Sequence, residues 1–182
     1  VRADAQADNM AADEIAVLLA FLKAQTASQI MLPTQSPTKS SYIIGCDQLL
    51  LIDDHIMAKP ESLTEAKQQL LMLAGKQHEL LSAIVLIRDG QRIWHHLGRS
   101  ALTMRKFDDA FADAYIRRVG EAALWSLGAY QIESVGSSLF ARIDGDHFDI
   151  LGLPLLPLLG ILHEHGSVSY THLTLPTTKN VL

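Results

Sequence analysis

The stretch YIIGCDQLLLIDDHIMAKP, residues 42 to 60, sets a carboxylate and an amide, Asp47 and Gln48, inside an otherwise apolar strand. Burying a carboxylate is costly unless it is paired, hydrogen-bonded, protonated or bound to a metal. One reading makes Asp47 a strand-end residue that caps a turn. The apolar run resumes from Leu49 to Ile52, however, so Asp47 belongs mid-sheet or at a bulge. A carboxylate there can hold Mg²⁺ or act as a base on a water molecule. Lys59-Pro60 stands just past the following hairpin. An isolated lysine is most often simply solvated. Here a hairpin returning from Asp47 would carry Lys59 back toward it, and a cation beside a metal-bound carboxylate suits phosphate oxygens. Pro60 keeps Lys59 out of the α region and so fixes its direction.

Other candidates are weighed in the same way. Lys23, read as near the end of the first helix, is by default a partner of the helix dipole. Glu133, in GAYQIESVG, is a solvated loop carboxylate unless that Gly- and Ser-rich segment passes close to something. His163-Glu164-His165 does not make a zinc site, because neighbours one and two apart on a helix do not share a face. His95 and His96 fall on opposite faces of a strand and form no clamp. Cys46 beside Asp47 is a poor nucleophile, since a neighbouring carboxylate disfavours the thiolate. The chain has no GxGxxG, P-loop or GxSxG motif.

The elements that must position these residues follow from periodicity. Residues 11 to 29 read as a helix, with Ile15, Leu18, Leu19 and Leu22 at helical spacing and Lys23 near the same face. MLPTQSPTKSS, 31 to 41, is a loop. The strand YIIGCDQLLLI turns at Asp53-Asp54-His55 into a short return strand. SLTEAKQQLLMLAGK, 62 to 76, is a helix with a Ser62/Glu65 capping box and Gly75 as its terminator. Residues 78 to 105 form a hairpin that turns at Asp89-Gly90. Residues 108 to 121 form a helix on which Phe111, Tyr115 and Val119 repeat every four positions. A strand, a turn at Asp144-Gly145 and a helix from about Pro154 complete the chain. Interleaved helices and strands predict an α/β fold with a mixed sheet.

Composition narrows the class. The chain has 182 residues, 48% hydrophobic and 19% charged, enough for one domain with a core. A net charge of −5 argues against coating a nucleic acid polymer but permits a small phosphorylated ligand. The single cysteine, Cys46, allows no internal disulfide and fits a reducing, cytoplasmic setting. The longest apolar run, residues 150 to 162, is short of the ~20 residues a membrane span needs. The opening VRADAQADNMAADE lacks an initiator Met and reads as a fragment whose start is missing. Residues 167 to 182 resemble translated adapter or vector read-through, a non-native or disordered tail, and are set aside from the domain, residues 1 to 166.

In this order, IIGCDQ, KPESLTEAKQQLLMLAGKQHELLSAIVL, YIRRVGE and LGAYQIESVGSSLFARIDGDHFDILGLPLLPLL resemble the Maf family of nucleoside triphosphate pyrophosphatases over roughly residues 12 to 166. The resemblance implies an elongated Maf/ITPase-like α/β fold with two lobes around a cleft, often dimeric. It implies cleavage of a nucleoside triphosphate into monophosphate and pyrophosphate with a divalent metal, Mg²⁺ or Mn²⁺. Asp47 matches the family's proton acceptor, close to the metal. Lys59 and Lys23 match its phosphate-facing lysines. Gln48 and Glu133 match two positions that choose the base, with the residue types of the subgroup resembling 7-methyl-GTP pyrophosphatases. Family members have also been linked to septum formation, which leaves open a nucleotide-binding regulator of cell division without turnover.

The same resemblance expects a first strand, a Ser-x-Ser-x-x-Arg phosphate loop and an Asp-Glu pair, all of which would fall before Val1. Asp13-Glu14 lies within the first helix and does not replace that pair. The chain is therefore expected to be inactive or strongly impaired, with an unpaired sheet edge. Pyrophosphate release from this chain, beside a form with its N-terminus restored, tests this; equal rates would refute it.

Overall fold

The computed structural model describes residues 10–31 and 41–166. The expectations for the opening residues, for most of the loop 31–41 and for the tail 167–182 fall outside them. Helix α1 is Ala12–Met31, followed by strands β1, Tyr42–Ile52, and β2, His55–Met57. Helix α2 is Leu63–Leu73, then come β3, Gln77–Arg88, and β4, Gln91–Met104. Helix α3, Asp109–Val119, leads through three short 3-10 turns, Gly120–Leu124, Leu127–Ala129 and Val135–Leu139, into β5, Phe140–Asp144. Helices α4, His147–Ile150, and α5, Leu155–Glu164, complete the described chain.

The α/β class holds, and the strands form one sheet in the order β2-β1-β3-β4-β5. Every pairing among the described strands is antiparallel, where interleaved elements had suggested a mixed sheet. Two tight hairpins account for much of this. Asp53 and Asp54 have φ of 48° and 63°, and Asp89 and Gly90 have φ of 51° and 83°. Two successive left-handed residues make the turn whose twist matches that of flanking strands. The chain thus reverses after β1 and after β3 with no crossover.

β3 is central and covered on both faces, which explains its nearly continuous apolar run from Leu80 to Ile87. Its alternate side chains feed two cores. Leu80, with Leu50 and Ile52 of β1, packs against α2, α3 and the 3-10 turns. Leu81, Ala83, Val85 and Ile87, with Ile43 and Leu49, pack against α1. Each fully buried aliphatic side chain contributes roughly 1.5–3 kcal/mol.

Two helix faces differ from their sequence reading. On α1 the buried residues are Ile15, Ala16, Ala20, Ala24 and Ser28, while Leu18, Leu19 and Leu22 are only partly covered. The reason is a close approach to β1. A Cβ placed on Gly45 would lie 2.2 Å from the Ala20 carbonyl oxygen and 2.7 Å from the Ala24 Cβ. Only small side chains fit at that crossing. On α3 the buried residues are Ala112, Tyr115 and Ile116, and Phe111 is exposed, its ring 5.1 Å from that of Phe107. On α2 the N-cap is as read, Ser62 Oγ accepting from Glu65 N, but Glu65 receives the amide of Glu61 rather than that of Ser62. Gly75, with φ of 72°, takes the left-handed position after the helix.

His78 of β3 is 2% exposed, with Nε2 2.8 Å from the Tyr130 hydroxyl and the ring against Phe140. Burial lowers its pKa from 6.5 to about 4. The unfolded chain binds this proton more readily, so the contribution to stability is full above pH 6.5 and is lost as pH falls toward 4.

Gly45→Ala is expected to lower stability by about 1–3 kcal/mol by forcing α1 from the sheet, read by thermal unfolding. The urea midpoint is expected to fall between pH 6.5 and 4. His78→Leu should remove much of that fall, on the order of 3 kcal/mol; an unchanged pH dependence would refute the assignment.

Candidate active site

The tight crossing at Gly45 sets the site. Gly45 and Asp47 share the β1 face that meets α1, and Lys23 directly precedes Ala24, whose Cβ forms part of the contact. Lys23 Nζ therefore reaches β1 and donates to Asp47 Oδ1 at 2.5 Å and to the Cys46 carbonyl at 3.1 Å. The Asp47 side chain is 10% exposed and that of Lys23 59%. The helix runs on to Met31, so Lys23 lies mid-helix and not in the last turn. Its partner is a carboxylate on the sheet rather than the helix dipole.

Asp47 pairs in register with Ala83 and sits on a regular ladder rather than at a bulge. β2 pairs only with Leu50 to Ile52, so among the described strands the preceding edge of β1 is open. That open edge explains how Cys46, Asp47 and Gln48, which alternate between faces, all line one cavity of about 690 Å³. Lys23, Lys59, Tyr130, Glu133, Ile150 and Gly152 line it too. Its walls draw on both cores, with Leu19 from the α1 side and Leu127 and Tyr130 from the other.

Lys59 is exposed, and its backbone is held on both sides. Pro60 is buried, and Gln69 Nε2 of α2 donates to the Ala58 carbonyl at 3.1 Å. The structure thus brings all the residues singled out from the sequence, Lys23, Asp47, Gln48, Lys59 and Glu133, to one cavity. Lys23 and Asp47 are in direct contact, whereas Glu133 stands exposed in the turn after Tyr130.

Gln48 is half-buried and its amide is already engaged. Nε2 donates to Ser82 Oγ at 2.8 Å and lies 3.1 Å from the carbonyls of both Asp149 and Ile150. Carbonyl acceptors require a donor opposite, which fixes the orientation of the amide. Its N–H groups belong to the protein, and only Oε1 is left for a ligand. Ser82, fully buried on β3, also donates to the Asp149 carbonyl at 2.5 Å. Sequence reasoning missed Ser82 and Gln69, two polar side chains in buried surroundings whose role depends on contacts remote in sequence.

The Gly-Ala-Tyr segment turns through two left-handed residues, Gly128 at φ 66° and Ala129 at φ 61°. A Cβ on Gly128 would lie 2.7 Å from the Tyr130 ring and 2.9 Å from Leu50 and Leu73. That turn drives Tyr130 inward to His78 and sends Gln131 to Glu133 along the cavity. Cys46 is half-buried beside Asp47. Burial, more than the nearby Asp47, pushes its thiol pKa up, against a smaller lowering by Lys23.

The donor set limits how a metal could bind. Among the described residues no group of three His, Cys, Asp or Glu side chains gathers to hold one. Of the two carboxylates lining the cavity, Asp47 and Glu133, only Asp47 is largely buried. This suits a hard cation such as Mg²⁺ or Mn²⁺ that arrives with a polyphosphate, because such ions use one or two carboxylates and complete their shell with phosphate and water oxygens. No helix among the described residues is long and apolar enough to cross a membrane.

Known proteins supply the comparison. A nucleoside triphosphate pyrophosphatase of Rhodospirillum rubrum is 46% identical over 166 residues, covering 91% of this chain and 79% of that protein. The 7-methyl-GTP pyrophosphatases of Rhizobium etli and Brucella abortus are each 44% identical over 156 residues, covering 86% of this chain and 75% of theirs. Residues 1–165 match the family described as Maf-like protein. With that match spanning nearly its whole length, the chain belongs to the Maf-like protein family.

Proposed function

We propose that this chain is a nucleoside triphosphate pyrophosphatase that acts at the cavity bounded by Asp47, Lys23 and Lys59. The observation that carries the reading is the near-buried Asp47 carboxylate beside a lysine, in a cavity large enough for a nucleotide. The names of the relatives favour hydrolysis over a nucleotide-binding regulator without turnover.

In the proposed reaction a water oxygen attacks the α-phosphorus and the α–β bridging oxygen leaves with pyrophosphate. Asp47 takes the proton from that water. Lys23 can exchange Asp47 for phosphate oxygens when the triphosphate arrives, because its stem is flexible and largely exposed. Lys59, on a backbone held by Gln69 and Pro60, neutralises charge on the departing phosphates. A bound divalent cation would supply further charge stabilisation on the phosphates, with Asp47 as its protein ligand. Most of the acceleration then comes from holding water, phosphorus and cations in line.

Glu133 and Oε1 of Gln48 are both acceptors. They suit a base edge that presents donors, such as the N1–H and exocyclic amine of guanine, and Glu133 also suits a positively charged methylated ring. This favours 7-methyl-GTP among substrates. The setting proposed is the cytoplasm, with a homodimer as the working unit.

The test measures pyrophosphate release from 7-methyl-GTP, dTTP and UTP. Asp47→Asn is expected to lower turnover about 10²-fold or more, as loss of a general base does. EDTA should abolish turnover, and Mg²⁺ or Mn²⁺ restore it. Wild-type turnover in Asp47→Asn would remove the assigned base. A clear preference for the pyrimidines would overturn the base assignment.

A further inference from the structure

Trp125 follows the 3-10 turn Gly120–Leu124 and is 66% exposed, although it is the largest apolar side chain in its segment. An exposed indole presents a large, rigid π-face at the surface. No aromatic ring or guanidinium among the described residues stacks on it. It nevertheless lines the same cavity as Asp47, Gln48 and Glu133. Leu151, 44% exposed, adds a second apolar surface to that lining.

We infer that Trp125 is the stacking platform for the nucleobase, and that it selects a cationic purine. The inference rests on the function proposed above and adds to it a residue that no spacing or motif singled out. Three groups then divide the recognition. Oε1 of Gln48 and the Glu133 carboxylate accept from the base edge, and neither favours a base that presents acceptors there. The indole face covers the ring. Methylation at N7 places positive charge on the purine, and both a tryptophan π-face and a carboxylate attract that charge. A neutral pyrimidine offers the indole less area and no charge.

The geometry also explains why the platform is unoccupied by protein. Trp125 and Glu133 bracket the Gly128-Ala129 turn, whose left-handed backbone brings both ends of this short segment to the cavity. Tyr130, the other ring there, is 5% exposed and turned onto His78, so it is not available to cover a base. Trp125 is the exposed one of the two.

The chain has two tryptophans, and Trp94 is stacked on His96 of β4 at 6.1 Å between centroids, away from the cavity lining. In a Trp94→Phe background all tryptophan emission comes from Trp125. Titration of that protein with 7-methyl-GTP is expected to quench the emission saturably, and more weakly with GTP and UTP at equal concentration. In steady-state assays, Trp125→Ala should raise KM for 7-methyl-GTP about tenfold, the scale of base–aromatic stacking, with a smaller change for UTP and little change in kcat. Trp125→Phe should recover part of the loss. Binding detected by calorimetry without any change in Trp125 emission, or a Trp125→Ala effect equal for all bases, would overturn the inference and leave the hydrolytic function standing. Absence of nucleotide binding altogether would overturn both.

Discussion

The approach of α1 to β1 at Gly45 is the constraint on which the site depends. Van der Waals contact between a helix backbone and a strand backbone needs small residues on both sides, and Gly45, Ala20 and Ala24 provide them. The separation so fixed is short enough for Lys23 to span, and it brings an ammonium to a carboxylate two residues along the strand from the contact. A larger side chain at any of the three positions would add a methyl group to the core and lengthen the gap at the ion pair. Packing and electrostatics are therefore coupled through one point. An ion pair of this kind has little value as a source of stability when one partner is largely solvated. Its structural effect is to hold an ammonium against the cavity lining.

A second constraint acts from the other face of the same strand. The Gln48 amide gathers Ser82 of β3 and the carbonyls of Asp149 and Ile150 into one node. The C-terminal segment, more than a hundred positions away in the chain, is thereby tied to the floor of the cavity. Gly152, with φ of 93°, then passes beside that amide, where an added Cβ would be in ordinary contact with it at 3.8 Å. Buried polar groups of this sort are costly when half-satisfied and specify a unique arrangement when complete. The Gly-Ala-Tyr turn adds a third element, its ring end locked by the His78 hydrogen bond.

Much of this was legible in the residues. A carboxylate that breaks an apolar strand, and a Lys-Pro beyond the next hairpin, pointed to one place, and the five residues singled out line one cavity. Turn chemistry at Asp89-Gly90 and the cap at Ser62 were readable because they depend on neighbours in sequence. What failed did so where tertiary contact overrides local pattern. Leucine spacing on α1 pointed to the wrong stripe, since the strand it meets carries a glycine and admits only alanines. The four-residue repeat of Phe111, Tyr115 and Val119 could not say which face the helix buries, and Phe111 is exposed. Gln69, Ser82 and Trp125 carry no local signature at all, because their roles arise from a remote carbonyl, a remote amide and a shared cavity.

The alternation of β1 has a consequence for how such a protein can change. Asp47 and Gln48 are adjacent yet turn to opposite faces, one toward α1 and one toward the C-terminal node. A one-residue shift of β1 against β3 would invert both at once, because a strand has only two faces to offer. The two side chains are thus bound to a common parity. Length variation in descendants of this fold should accumulate at the Asp89-Gly90 tip, where an extra residue disturbs neither, and be purged from the few positions that lead into the acid.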